Sequence, residues 1–249
     1  MTTILRLVRS EIRKLTTTKL PWGFLAVLVV IAGLDAAVVA FGTDMDGSKA
    51  FVATAADQQS LMAFAFNAMI GTSLFGAIAV AREYGHHTVV PMFLTSPNRV
   101  RAVLAQLTAI LVGGAALAFV GQALVVAGVA VALPSTDHGF LVSVGDLARL
   151  FGATTFAGAV GATLGAGLGA LIRNTGGAVT TAVLVLFVVP PLTVQLFSET
   201  GSWIPPSLFA VISGVSLDVS LWAALLAMSA WAIVPAAAGL VAVQRRDVV

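Results

Sequence analysis

Apolar runs of about 20 residues or more recur six times along the chain, separated by short polar segments. They cover approximately Trp22–Phe41, Leu61–Ala81, Ala102–Leu133, Leu147–Ile172, Gly177–Phe197 and Val219–Val243. An α-helix rises about 1.5 Å per residue, so ~20 residues reach about 30 Å, the thickness of a bilayer's hydrocarbon core. The spacing predicts six transmembrane helices. The first run is longer than the ~7–15 apolar residues of a cleaved leader, so it is expected to be retained. The third exceeds a straight crossing and is expected to tilt, to extend into water, or to bend near Gly113-Gly114. Pro190-Pro191 interrupts the fifth and frees carbonyls that need buried partners or a water-lined cavity. Leu208–Val215 is too short to cross and is expected to dip in as a re-entrant turn.

Residues 2–20 are polar but patterned. At about 100° per residue, Ile4, Leu5, Leu7, Val8, Ile12 and Leu15 fall on one side of a helix, and Arg6, Arg9, Arg13 and Lys14 on the other. That predicts an interfacial amphipathic helix with its basic face towards anionic headgroups, ended by Pro21.

Composition agrees with lipid as the main solvent. The chain is 59% hydrophobic and 10% charged, against about 25% charged in soluble domains. Its net charge of +2 is not gathered into one patch, so nucleic acid is not an expected partner. Cysteine is absent, which excludes disulfides and thiolate chemistry. With six spans, Arg6, Arg9, Arg13, Lys14, Lys19, Arg82, Arg99, Arg101, Arg173, Arg245 and Arg246 fall on one side, leaving only Lys49 and Arg149 on the other. The positive-inside rule then makes both termini cytoplasmic and the chain a multi-pass protein of the cell membrane.

Motifs for chemistry are sparse. No phosphate-binding Gly-x-x-x-x-Gly-Lys-[Ser/Thr] occurs, nor His-Glu-x-x-His or Gly-x-Ser-x-Gly. His86-His87 and His138 fall on opposite sides, and Asp44-Met45-Asp46-Gly47 lacks the later ligands of a calcium loop, so no metal site is expected. Asp35 is the one acid inside a span, where burial is costly. It either lines a cavity or sits close enough to the outer interface to stay hydrated. Asn67, Gln122, Thr154 and Gln195 either line a path or bond between helices. Gly161, Gly165 and Gly169 stand four apart and admit a close helix, from the same subunit or a second copy.

The longest charged internal stretch is Arg82-Glu83-Tyr84-Gly85-His86-His87-Thr88, continuing to Leu94-Thr95-Ser96-Pro97-Asn98-Arg99-Val100-Arg101. Together with the opening Ser10-Glu11-Ile12-Arg13-Lys14-Leu15 and the closing Arg245-Arg246-Asp247-Val248, it resembles the ABC-2 family of ABC-transporter permeases, in the short form without a fused ATPase. The resemblance covers the whole chain. It departs at His87, where a Gly is common, and at Gln106, where a Lys is often found.

The resemblance implies an all-α integral membrane permease with a cytoplasmic coupling helix between spans two and three. It implies a second permease subunit, identical or homologous, and two ATP-binding subunits that carry ATP and Mg. Glu83 and Arg99 are then expected to make charged contacts with the ATPase, Tyr84 and Phe93 to anchor, and Thr88 and Pro97 to complete the segment. Asp35, Asn67 and Gln195 are the candidates for a transport path. The expected activity is export of an amphipathic or hydrophobic cargo, a drug, peptide or lipid-like molecule, with no catalytic residue or bound cofactor in this chain. The competing expectation is an ATP-independent secondary transporter or a structural or immunity-type membrane subunit.

Overall fold

A computed structural model describes residues 2–44, 47–64, 68–85 and 99–245. Every regular element among them is helical, and six helices are long and apolar enough to cross a membrane.

The chain opens with α1 (Thr2–Thr17) and α2 (Leu20–Phe41). The break falls at Thr18 and Lys19, ahead of the expected Pro21. Thr17 and Thr18 turn their hydroxyls back onto the carbonyls of Arg13 and Leu15, 2.9 Å each. Pro21 instead occupies the first turn of α2, where its missing N–H has no partner to lose.

The second span, Ala55–Gly85, is longer than its apolar run; its described parts are α3 (Ala55–Phe64) and α4 (Ala68–Gly85). Its early start has a local cause. Thr54 and Asp57 cap each other reciprocally: the Asp57 N–H donates to the Thr54 hydroxyl at 3.2 Å, and the Thr54 N–H to the Asp57 carboxylate at 3.1 Å.

α5 (Arg99–Ala132) runs uninterrupted through Gly113-Gly114. Those glycines serve packing instead of bending, since a Cβ on Gly114 would collide with Ala162 and the Gly158 carbonyl of the next helix. That helix, α6 (Val144–Ile172), is the axis of the bundle. It packs against α4, α5 and the last span. Its stripe of small residues is filled from within the chain: a Cβ on Gly161 would meet Met69, and one on Gly165 would meet Ser73, both on α4.

Span five consists of α7 (Thr175–Val183), a π turn (Leu184–Val188) and α8 (Val189–Leu196). Pro190 and Pro191 cannot donate to the carbonyls one turn back. The chain widens there, and the Val189 N–H reaches five residues back to Leu184. The short apolar piece forms α9 (Pro205–Ser213), packed on α6 and on the final helix α10 (Leu221–Arg245). Leu208, Val211 and Ile212 are buried, so this piece is a helix lodged among the spans.

Among the described residues two sizeable apolar cores form, beside a small third one of Ala77, Ala81 and Ala178. The larger joins Leu28, Met62, Leu150, Leu164, Leu208 and Met228. The smaller, at the α1 end, gathers Phe75, Val103, Ile110 and Ala166, with Leu15 of α1 and Phe24 of α2 packed against it. Phe24 meets Phe75 edge to face at 5.7 Å. This second core fixes α1 onto the bundle.

Candidate functional site

On the helical wheel of α1, Glu11 falls between Leu7 and Leu15, inside the apolar arc. The Leu7–Leu15 side of that arc turns inward and packs on α5, so the acid is carried in with it and is only 8% exposed. An isolated buried carboxylate is costly, and the cost is met by Lys14 one turn later. Its Nζ lies 2.7 Å from Glu11 Oε2. The same ammonium donates to Glu83 Oε1 at 3.2 Å, at the end of α4. The other oxygen of Glu83 accepts from Gln106 Nε2 on α5 at 2.8 Å. Glu83 is therefore turned into the bundle, with its side chain 15% exposed.

The charges follow from this geometry. Burial pushes the Glu11 carboxyl above its ordinary value; Lys14 pulls it back and neighbouring Glu83 pushes it up again. Burial alone would lower the Lys14 ammonium, but its bonds to Glu11 and the charge of Glu83 override this and hold it above its usual value.

Tyr84, the next residue, takes a different partner. The guanidinium of Arg173 lies over its ring at 5.1 Å, a cation–π contact. Arg173 ends α6 in the left-handed conformation at φ 56°, the one non-glycine residue with positive φ among those described. That backbone costs an L-residue about 1–2 kcal/mol. Its Nη2 also donates to the Ala242 carbonyl of α10 at 3.3 Å. Two adjacent residues at the end of span two thus grip α1, α5, α6 and, through Arg173, α10.

The opposite end of the bundle is tied differently. Lys49 donates to the Val39 and Ala40 carbonyls at the C-terminus of α2, at 3.1 and 2.6 Å. Arg149 donates to the Ile212 and Val211 carbonyls at the C-terminus of α9, at 3.0 and 2.9 Å. The two basic residues that the sequence assigns to this end both neutralise helix C-termini. Gln58, fully buried, bonds the Val52 and Gly139 carbonyls and the Leu141 N–H, which pins the loops together. Nearer the middle, Gln122 accepts from Thr154 at 2.9 Å, an interhelical bond between α5 and α6.

Of the residues singled out from sequence, Glu83 and Tyr84 sit in the clasp just described. Thr88, Phe93, Pro97 and Asn67 lie outside the described residues. Arg99 opens α5, and nothing of its side chain is described. Asp35 lies on α2, the helix that packs on α5, and its Oδ2 is buried with no hydrogen-bond partner among the described residues. Gln195 is exposed on α8. Glu11 and Lys14 complete the clasp but were not among the site residues singled out from sequence, although an acid within an apolar arc is a signal in itself. Gln106, a departure from the family pattern and one of the polar span residues expected to line a path or to bond between helices, donates to Glu83.

The class that this fold defines is a multi-pass, all-helical membrane protein. Compared with protein-family models and with curated proteins, the chain matches none.

Proposed function

We propose that the chain is the membrane-spanning permease subunit of an ABC-type exporter, with both termini cytoplasmic and the α1 end at the cytoplasmic surface. ATP and Mg are bound by two separate partner subunits, and a second permease, identical or homologous, completes the path. The observation that carries this reading is the placement of Glu83 and Tyr84 at the root of the polar stretch 86–98. A push on that stretch reaches α1 and span three through Glu83, and spans four and six through Tyr84 and Arg173. A chain without a phosphate cradle can use ATP only by such mechanical contact. Phe93, Pro97 and Arg99 are the residues that meet the ATPase in this reading, and Thr88 belongs to the same segment. Glu83 and Tyr84 carry the displacement onward. The cargo is amphipathic or hydrophobic: an apolar cavity lined by Met69, Ala157, Leu186, Pro205, Phe209 and Met228 opens beside the π turn of span five.

The test is purification from native membranes in mild detergent by a C-terminal tag. An ATPase subunit is expected to co-purify at about one copy per permease, and Phe93→Ala with Arg99→Ala to release it. A chain that comes out alone and still transports rejects the reading.

One observation favours a second reading, ATP-independent transport. Asp35 Oδ2 is buried without a partner among the described residues, as expected of an acid that takes a cationic group from the cargo. In that case Asp35→Asn abolishes transport in energised vesicles that contain no ATP.

A further inference from the structure

α1 presents three edges. Leu7, Glu11 and Leu15 face the bundle. Leu5 is 67% exposed on an adjoining apolar edge, beside half-buried Ile12. The third edge is a groove lined by Arg6, Arg9, Ser10, Arg13, Lys14 and Thr17. Among the described residues Arg6, Arg9 and Arg13 have no carboxylate partner, because Glu11 and Glu83 are both engaged by Lys14. The stretch 86–98 holds no acid that could supply one, and Asp247 is the only other acid at this end. Trp22, in the first turn of α2, is 66% exposed and marks the headgroup level, where indole rings concentrate. A basic groove beside a free apolar edge at that depth fits a ligand with an anionic head and an acyl tail.

We propose that this groove binds anionic phospholipid headgroups of the inner leaflet, and that Lys14, which lines the groove and bridges Glu11 to Glu83, makes the docking of α1 depend on that lipid. The headgroup draws α1 to the bilayer surface in the position where Lys14 reaches both carboxylates. Without it, three guanidinium groups repel one another, and only the packing of α1 on the bundle and the Lys14 bonds oppose them. The inference shares with the exporter reading only the membrane setting and the cytoplasmic placement of α1.

Because the chain has no cysteine, spin labels can be placed on the full-length protein at Thr16→Cys on α1 and Thr108→Cys on α5. Both positions are exposed and outside the clasp. The protein is reconstituted in vesicles of phosphatidylcholine, alone or mixed with phosphatidylglycerol, with no ATPase present. A single short label-to-label distance is expected in the mixed vesicles and a second, longer one in phosphatidylcholine alone. Each Arg→Gln change at 6, 9 or 13 is expected to weaken the lipid dependence about fivefold, equivalent to ~1 kcal/mol per basic side chain near an anionic surface. The triple Arg→Lys variant keeps it, which also reports that the chain is folded. Equal distances in the two vesicle types overturn the proposal, as does a triple Arg→Gln variant that responds like the parent. Inorganic phosphate producing the short distance in phosphatidylcholine vesicles overturns the lipid assignment. No outcome depends on an ATPase, so the exporter reading stands or falls separately.

Discussion

Glu11 concentrates the energetics of the α1 end. Its raised carboxyl means that the docked state holds a proton more tightly than a free α1 does. Docking therefore strengthens as pH falls from Glu11's raised value towards the ordinary carboxyl value of 4.5 and stays level below it, as far as this group is concerned. Hydrogen exchange along α1, corrected for intrinsic rate, is expected to slow on acidification through that window, and Glu11→Gln to remove the dependence. Lys14 acts at the other extreme. Its contribution is present below the ordinary lysine value of 10.5 and is lost as pH rises through its raised value. Lys14→Met leaves two carboxylates facing one ammonium fewer. The Lys14 side chain is 47% exposed, so solvent screening limits the loss to about 1 kcal/mol, read as faster exchange in α1 with α6 unchanged.

At the scale of elements, two contacts decide where helices sit. The approach of α6 to α4 is close enough that a side chain at position 165 would have to displace the Ser73 carbonyl, which belongs to a helix backbone and cannot give way. Gly165→Leu is expected to cost about 1–3 kcal/mol or more from overpacking, measured as a lower melting temperature in detergent; Gly152→Ala, where nothing lies within 4 Å, is the matched control. α9 depends on Arg149. With Arg149→Ala the Val211 and Ile212 carbonyls lose a charged donor, at about 1–3 kcal/mol. Increased proteolysis between Ser198 and Val219 is the expected readout. The glycine spacing was visible in the sequence as a close-approach surface. Which helix fills it was not, because the same stripe serves a neighbour in the chain or a second copy equally well.

For the whole molecule, sidedness is the property that most needs a measurement. The absence of cysteine makes it direct: in sealed cells, a membrane-impermeant thiol reagent is expected to label Ser216→Cys, and Ser10→Cys only after permeabilisation. The reverse pattern would invert the topology and leave the exporter reading without a cytoplasmic coupling segment.

The six crossings are legible in the sequence because their cause is local. Backbone bonds within a helix close over about four residues, and apolar length against bilayer thickness is a one-dimensional comparison. The same locality explains the mutual cap of Thr54 and Asp57 and the disturbance at Pro190-Pro191, though its form as a π turn emerged only in the fold. The clasp is of another kind. Lys14 and Glu83 are 69 positions apart, and Arg149 and Ile212 are 63 apart. A helical wheel states the direction in which Glu11 points and is silent on what waits there. The wheel alone therefore could not show that packing on α5 turns Leu7 and Leu15 towards the bundle, with Glu11 between them. The chain's charge pattern assigned Lys49 and Arg149 to the minority end. Only the folded packing of α2 and α9 reveals why they are tolerated there, each bound to the negative end of a helix that no stretch of sequence near it could identify.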